Sequence, residues 1–412
     1  MSPRDSASGP KIARLMGVNE ARAAMLAAVS VLVAERVPLS AALNRVLSDA
    51  VIADRDQPPF AVSAMDGYAV RSADTPGFLR VTGESAAGRG FEGRCESGSA
   101  IRISTGAAMP NGADTVVIQE DVSRDGNTVT VPAVQPGKNI RPRGGDFSTG
   151  KILLQPGRKM DGVGLSLAAA TGAAELMMVR APRVVILSSG NELAAPGEMP
   201  GPYQIFDSAT YGIAGLVQSW GGVPDRLPVE KDDVGFIARA AERGLRGCDL
   251  LVLIGGASVG DHDHARPALM RLGLDLIVGM VAVRPGKPTW FGRTPYGVIL
   301  GLPGNPASAL VCAKLFLQPL LEAMLGRDPQ ECVAFCRARL SEGVPANGPR
   351  EHYLRARVDS NDGGQLMVRA FEDQDSSLIS VYASANALIR LAPDAPMMPP
   401  GAAVDVLRLE NS

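Results

Sequence analysis

The stretch 249–264, DLLVLIGGASVGDHDH, decides the fold. Five apolar residues, Leu250–Ile254, run without a polar break and stop at Gly255-Gly256. An unbroken run of that length predicts a strand covered on both faces. Ser258 and Gly260 then lead into a helical pattern over 265–272, so the segment reads strand–loop–helix. The same unit recurs on either side. VVILSSGNEL (184–193) is a buried strand, followed by a helix over 207–220 that Gly221-Gly222 closes. VPDRLPVE (223–230) is a second strand, and Asp232 is expected to start a helix over 232–243. GVILGLPG (297–304) is a further strand, feeding a long helix over 306–325. Strands alternating with helices predict a parallel sheet with helices on both faces, whose ligands sit at the carboxyl ends of the strands.

Outside this region the texture changes. Residues 18–49 read as two helices, from NEARAAMLAAVSVLV and AALNRVLSDAV. From 53 to 146, short alternating runs (LRVTG, AIRISTG, DTVVIQE, NTVTVPA) between Gly, Asn and Asp turns predict a β domain. GVGLSLAAATG (162–172) is helical. Beyond 330, AFCRARL, HYLRARV, QLMVRAF, ALIRLA and AVDVLRL predict a small C-terminal β barrel or sandwich. The expected class is therefore α/β plus β, in four parts: a helical linker region (1–52 and 147–182), an inserted β domain (53–146), the α/β domain (183–330) and the C-terminal β domain (331–412).

Bulk properties narrow the function. Forty-one basic residues against 43 acidic ones leave a net charge of −2, so no global field favours nucleic acid or a membrane surface. Any anion site must be a local cluster. The five Cys are odd in number and irregularly spaced, which argues against a disulfide framework. Cys332 and Cys336 have no second pair with which to hold a structural zinc. The N-terminal stretch lacks an apolar signal core, and apolar runs such as Leu250–Ile254 are far below a membrane span, so a cytoplasmic protein is expected.

Two motifs mislead. Gly88, Gly90 and Gly93 spell GxGxxG, but turn and strand patterns follow where a dinucleotide fold needs a helix. RPGKPT lacks the first Gly of a phosphate-binding P-loop and has Pro288 where Ser or Thr is required.

Other segments can carry chemistry. Gly255, Gly256, Ser258 and Gly260 let the backbone approach a ligand, and the following helix start suits phosphate. Asp261 and Asp263 lie beside that point, where an acid serves equally well as a cap. The DHDH run does not suggest a His-ligated metal, because consecutive residues seldom converge on one ion and the chain has three His. In GLPGNPAS (301–308), Pro303 and Pro306 stiffen a strand-to-helix turn that also offers Asn305 and Ser308. RPGKP (284–288) presents Arg284, a fork for an oxyanion, and Lys287, a point charge; a solvated surface loop fits that pattern too. Glu192 follows the first α/β strand, and Glu192, Asp232, Asp263 and the Ser308 loop should meet in one crevice. In the β domain, Asp66 of SAMDGYAVR, Thr105 of ISTGAAMP and Asp146 of NIRPRGGD each have an ordinary turn reading.

Taken in order, PPF…SAMDGYAVR, RISTGAAMPNGADTVVIQE, NIRPRGGD, PGKP and GLPGNPAS resemble the MoeA family of molybdopterin molybdenumtransferases, related to the E domain of gephyrin. The resemblance covers about residues 18 to 409. It implies an elongated homodimer whose active site joins the α/β domain of one protomer to the β domain of the other. The implied reaction transfers molybdenum from molybdate to adenylylated molybdopterin, with cleavage of the phosphoanhydride and release of AMP. It uses Mg²⁺ or another divalent cation. Family active-site positions fall on Asp66, Thr105, Asp146, Glu192, Asp232, Asp263, Arg284, Lys287, Pro303, Pro306, Arg355 and Ser376. Of these, Glu192, Asp232 and Asp263 are the expected metal ligands. Gly255, Gly256, Ser258, Gly260, Asn305 and Ser308 join the substrate-binding set from the loop reading. Other cofactor-biosynthesis proteins are candidate partners. Ala61-Val62, Asn191, Ala209 and Met280 depart from the common family pattern. Two alternatives compete. A molybdopterin adenylyltransferase shares the α/β domain but usually consists of it alone. A gephyrin-like scaffold without catalysis would carry an added assembly segment, and none is read here.

Overall fold

The computed structural model describes residues 15–255 and 264–409. The chain forms two compact units. One holds residues up to Glu35, Asn44–Ser48 and the chain from Met178 onward; the other holds Arg36–Leu43 and Asp49–Met177.

A helix, α1 (Val18–Leu26), opens the first unit and buries Val18, Ala21 and Met25 in its main core. The second helix expected before residue 50 does not form. Leu39–Ala41 is a single 3₁₀ turn, and Asn44 takes a left-handed φ of 63°, which no helix accommodates. Val46 and Leu47 are still buried, but from irregular chain: Val46 packs with Val179 and Leu325, and Leu47 bridges to Met178. Apolar spacing marked the buried residues there and misassigned their backbone.

The second unit is built on a six-stranded sheet, β1 (Gly67–Val70), β2 (Gly77–Ser85), β3 (Ser99–Ile103), β4 (Thr115–Ile118), β5 (Ser123–Asp125) and β6 (Thr128–Val131). The order is β4-β1-β3-β2-β6-β5, antiparallel except for the β2–β3 pair. Alternate residues serve opposite faces: Tyr68 and Val70 pack with Leu79 and Val129, while Ala69 packs with Ile101 and Ile103. Helix α2 (Gly162–Ala170) appears where expected, capped by Asp161, whose carboxylate accepts from Gly164 N at 2.6 Å.

In the first unit, a six-stranded sheet consists of β7 (Arg183–Ser188), β8 (Val223–Arg226), β9 (Leu250–Ile254), β10 (Asp275–Val278), β11 (Trp290–Thr294) and β12 (Gly297–Leu302), in the order β8-β7-β9-β12-β11-β10. The first four are parallel, as expected; β11 and β10 extend the edge by antiparallel pairings that the sequence reading lacked. Both faces are covered. Val184, Ile186, Val252 and Ile254 join the core under α3 (Ala209–Ser219) and the long helix Pro306–Met324, whereas Val185, Leu187, Leu251 and Leu253 pack under α4 (Val234–Leu245) and α5 (Ala265–Met270). This double cover explains why β9 reads as an unbroken apolar run.

The long helix comprises α6 (Pro306–Cys312), a π turn (Ala313–Leu317) and α7 (Gln318–Met324). It is long and apolar enough to cross a membrane, contrary to the expectation from apolar runs, yet 94% of it is buried within the protein, as a core helix is. The C-terminal strands are β13 (Phe335–Leu340), β14 (Glu351–Ser360), β15 (Leu366–Ala370), β16 (Ala387–Leu391) and β17 (Ala403–Arg408). Their order is β14-β15-β13-β17-β16, and β16 pairs back with β14, so they close into a barrel. Val283 and Arg284 add onto the barrel edge in parallel with Glu351 and His352.

Candidate active site

In the α/β sheet, β7 is followed by β8 on one side, and β9 then returns to its other side. Such a reversal opens a crevice at the carboxyl ends of the strands. A cleft of about 800 Å³ occupies that place. Its walls include Ser188, Ser189, Gly190 and Glu192 at and after the end of β7, Ile254 and Gly255 at and after the end of β9, and Pro303–Asn305 and Ser308 after β12. Arg284, Lys287, Arg350, His352 and Ser376 complete it from the barrel side.

The carboxylates stand at the strand ends. A Cβ on Gly190 would lie 2.8 Å from the Glu192 carboxyl atoms, so a larger residue there would push that carboxylate aside. The helix cap expected at Asp232 belongs to its neighbour: Asp233 accepts from Gly235 N at 2.8 Å and Phe236 N at 3.1 Å and starts α4. Asp232 is thereby free of a capping role. Its N–H donates to Asn191 Oδ1 at 3.3 Å, while its Oδ1 is buried and has no hydrogen-bond partner among the described residues. Asn191, one of the departures from the family pattern, thus anchors the Asp232 backbone. Asp207, missed in the sequence, is a third acid in the cleft wall. It accepts from Thr210 Oγ1 at 2.6 Å and Ser188 Oγ at 3.3 Å. Its signal was the DSAT segment, read only for Ala209, which also lines the cleft.

The cations come from the segment between β10 and β11 and from the barrel. Arg284 lies beside His352 in register. Gly286, between Arg284 and Lys287, has φ of 113°, and a Cβ there would fall 2.1 Å from Cys312 Sγ. Only Gly lets this loop sit so close on α6. Arg350, also missed, donates from Nη1 to Val283 O at 3.3 Å and lines the cleft. His352 is 7% exposed; burial, then the charges of Arg284, Arg350 and Arg355, push its pKa down to about 4. It is a neutral imidazole at pH 7. Arg350 and His352 carried no sequence signal because their approach to Arg284 depends on barrel pairing.

Asn305 Nδ2 donates to Ser376 Oγ at 2.7 Å, tying the loop after β12 to the barrel loop. Arg355, expected to bind substrate, is 1% exposed and is not part of the cleft wall. It donates to Gln374 Oε1 at 3.2 Å and to the carbonyls of Asp375 at 2.9 Å and Leu378 at 3.2 Å. Arg355 therefore holds the loop that carries Ser376. Gly256, Ser258, Gly260, Asp261 and Asp263 lie outside the described residues.

Asp66, Thr105 and Asp146 belong to the second unit. Asp66 Oδ1 accepts from Thr105 N at 2.6 Å and Thr105 Oγ1 at 2.9 Å. The bond from Thr105 N, then that from its hydroxyl, hold the Asp66 carboxyl below the usual carboxylate range. Asp146 is exposed in its turn, and its N–H donates to Gln57 O at 2.9 Å.

Sequence profiles match along the chain: the MoeA N-terminal region (domain I and II) over residues 16–172, a probable molybdopterin binding domain over 185–323, and the MoeA C-terminal region (domain IV) over 337–409. The chain is 33% identical to the molybdopterin molybdenumtransferase of Nostoc sp., covering 91% of this chain and 88% of that one. It is 33% identical to the enzyme of that name from Haemophilus influenzae, over 87% of this chain and 89% of the other. The crystal structure of a molybdopterin biosynthesis MoeA protein from Pyrococcus horikoshii superposes with a TM-score of 0.84 at 27% identity, covering 96% of this chain and 99% of that chain.

Proposed function

From the membership of this chain in the MoeA family of molybdopterin molybdenumtransferases, we propose that it transfers molybdenum from molybdate to adenylylated molybdopterin, with cleavage of the phosphoanhydride and release of AMP. The observation that carries this reading is the cleft's division of charge. Arg284, Lys287 and Arg350 face it from the barrel side, and Glu192, Asp207 and Asp232 from the strand ends. Molybdate and the phosphoanhydride are both anions that such cations hold, Arg by paired N–H donors and Lys as a point charge. Neutral His352 adds a hydrogen-bonding edge without a further charge.

Cations alone would bind the substrate and the departing AMP alike. The carboxylates suit a divalent cation such as Mg²⁺, a hard ion that takes one or two carboxylates together with substrate phosphates and water. The buried, unpartnered Asp232 Oδ1 fits that group, with Glu192 and Asp263 as the other expected ligands. When bound, the ion supplies charge neutralisation at the phosphoanhydride. Asp66 and Thr105 are assigned to catalysis with Asp146, by the family resemblance. The same reading makes the protein a cytoplasmic homodimer.

The test is incubation with adenylylated molybdopterin, molybdate and Mg²⁺, followed by quantification of AMP and molybdenum cofactor. Molybdate-dependent AMP release with cofactor formation is expected. AMP arising only from ATP, or no AMP, overturns the proposal.

A further inference from the structure

Ser188 and Ser189 end the first strand of the α/β sheet side by side, and their hydroxyls meet different fates. Ser188 Oγ donates to Asp207. Ser189 is 4% exposed, lines the cleft, and its Oγ has no hydrogen-bond partner among the described residues. Buried hydroxyls are nearly always paired, and a bare one in a cleft wall marks where a ligand atom belongs. The unpartnered Asp232 Oδ1 lies in the same wall.

Backbone pairing brings together the two segments that carry these oxygens. Ser189 bridges in parallel to Glu230, and Gly190 N donates to Glu230 O at 3.2 Å. Two residues further along each segment, Asp232 N donates to Asn191 Oδ1. Residues 189–192 and 230–232 thus run together along one edge of the cleft.

The chemistry selects the ligand. An ionised carboxylate oxygen only accepts, so a phosphate or molybdate oxygen cannot satisfy Asp232 Oδ1. A cation satisfies Asp232 Oδ1, the Glu192 carboxylate and the lone pairs of a hydroxyl together. Among the described residues no three Asp, Glu, His or Cys side chains converge as a metal cage. An ion held here is completed by neutral oxygens besides the carboxylates, water among them, and Ser or Thr hydroxyls supply one to Mg²⁺ in other phosphate sites. We propose that Ser189 Oγ is a direct ligand of a divalent cation in this cleft, beside Asp232 and Glu192. The inference rests on the reading that the cleft works with such an ion.

Mn²⁺ provides the probe. Its free concentration is followed by paramagnetic resonance during titration of the full-length protein without substrate. Ser189→Ala should weaken Mn²⁺ binding by about tenfold or more, in the range that lost metal-site contacts produce. Ser189→Thr, which keeps the hydroxyl, should bind within about threefold of the wild type, and Asp232→Asn should lose more than Ser189→Ala. Thermal melting of each variant checks that it is folded. Unchanged Mn²⁺ affinity in Ser189→Ala overturns the proposal. So does equal loss in folded Ser189→Thr, which would trace the effect to packing, or a wild-type protein that binds no Mn²⁺. AMP release separates the two readings. Molybdate-dependent release with Mn²⁺ binding indifferent to Ser189 removes this ligand and leaves the transferase; Ser189-dependent Mn²⁺ binding without AMP release does the reverse.

Discussion

Replacing Gly286 by Ala should damage both stability and turnover, through one identifiable contact. The new Cβ would fall 2.1 Å from Cys312 Sγ, 3.3 Å from Val283 Cγ1 and 3.5 Å from Thr289 Oγ1. Ordinary contacts between such atoms are roughly 3.5–4.0 Å, so the separation from the sulfur must grow by about 1.5 Å. Cys312 is fully buried in α6 among core residues, which leaves the loop as the part that yields. Overpacking costs about 1–3 kcal/mol, and the left-handed φ of 113° adds about 1–3 kcal/mol for a residue with a Cβ. A total loss of about 2–6 kcal/mol is expected. The loop carries Arg284 and Lys287, and a displacement near 1 Å at a reacting centre costs roughly 100-fold in rate. Cys312→Ala removes the sulfur at a cost of about 1 kcal/mol for the small cavity. The double variant should then be more stable than the sum of the singles by about 1–3 kcal/mol, with part of kcat/KM restored, because the clash is gone and only the backbone strain remains. Urea denaturation of the four proteins and AMP release give both quantities. A Gly286→Ala protein as stable as the wild type, or strict additivity in the double variant, refutes the reasoning.

Other expectations follow from the same geometry. His352 titrates near 4 when folded and near 6.5 when unfolded, so the unfolded chain binds the extra proton between those values. Its contribution is fully present above pH 6.5 and is lost as pH falls, by about 2–3 kcal/mol at pH 4.5; denaturation of His352→Gln at pH 7 and 4.5 should lack that part of the slope. Glu192→Gln and Asp232→Asn should each cut AMP release strongly while shifting unfolding by no more than about 0.5 kcal/mol, since neither carboxylate accepts a hydrogen bond or pairs with a cation among the described residues; near-normal activity in both would deny them a part in the reaction. Arg355→Ala should cost about 2–4 kcal/mol and expose the 374–378 loop to proteolysis, because the carbonyls of Asp375 and Leu378 lose their guanidinium donor and Gln374 Oε1 keeps only the Arg355 backbone N–H; a stable variant with a rigid loop contradicts the positioning role. If the dimer shares its sites, mixing Asp66→Asn and Asp263→Asn subunits should restore part of the activity that each lacks; a mixture as inactive as its parents, with subunit exchange confirmed, argues for sites within one protomer.

The sequence by itself determined the order of elements and most of the residues that meet. Local period and punctuation carry that information: the double-faced apolar run of β9, the alternation of the barrel strands and the Gly and Pro ends of the loops around the cleft are properties of short segments. The linear pattern failed where burial and backbone form are separate questions. Val46 and Leu47 are core residues, but the left-handed Asn44 breaks the helix their spacing suggested. It failed again where one residue's role passed to the next, as when Asp233 capped α4 and left Asp232 for the cleft. The cation cluster was only half legible. Arg284 and Lys287 announced themselves in a Pro-stiffened loop, whereas Arg350 and His352 look like ordinary residues at a strand start. Only the tertiary structure decided that they face the same space, through the pairing of Arg284 with His352 in register. It also decided that Arg355 serves the Ser376 loop and that Ser189 keeps a bare hydroxyl while Ser188 does not. These outcomes depend on atoms brought together across large sequence separations, and whether a buried polar atom finds a partner is a property of the packed structure, not of the residue.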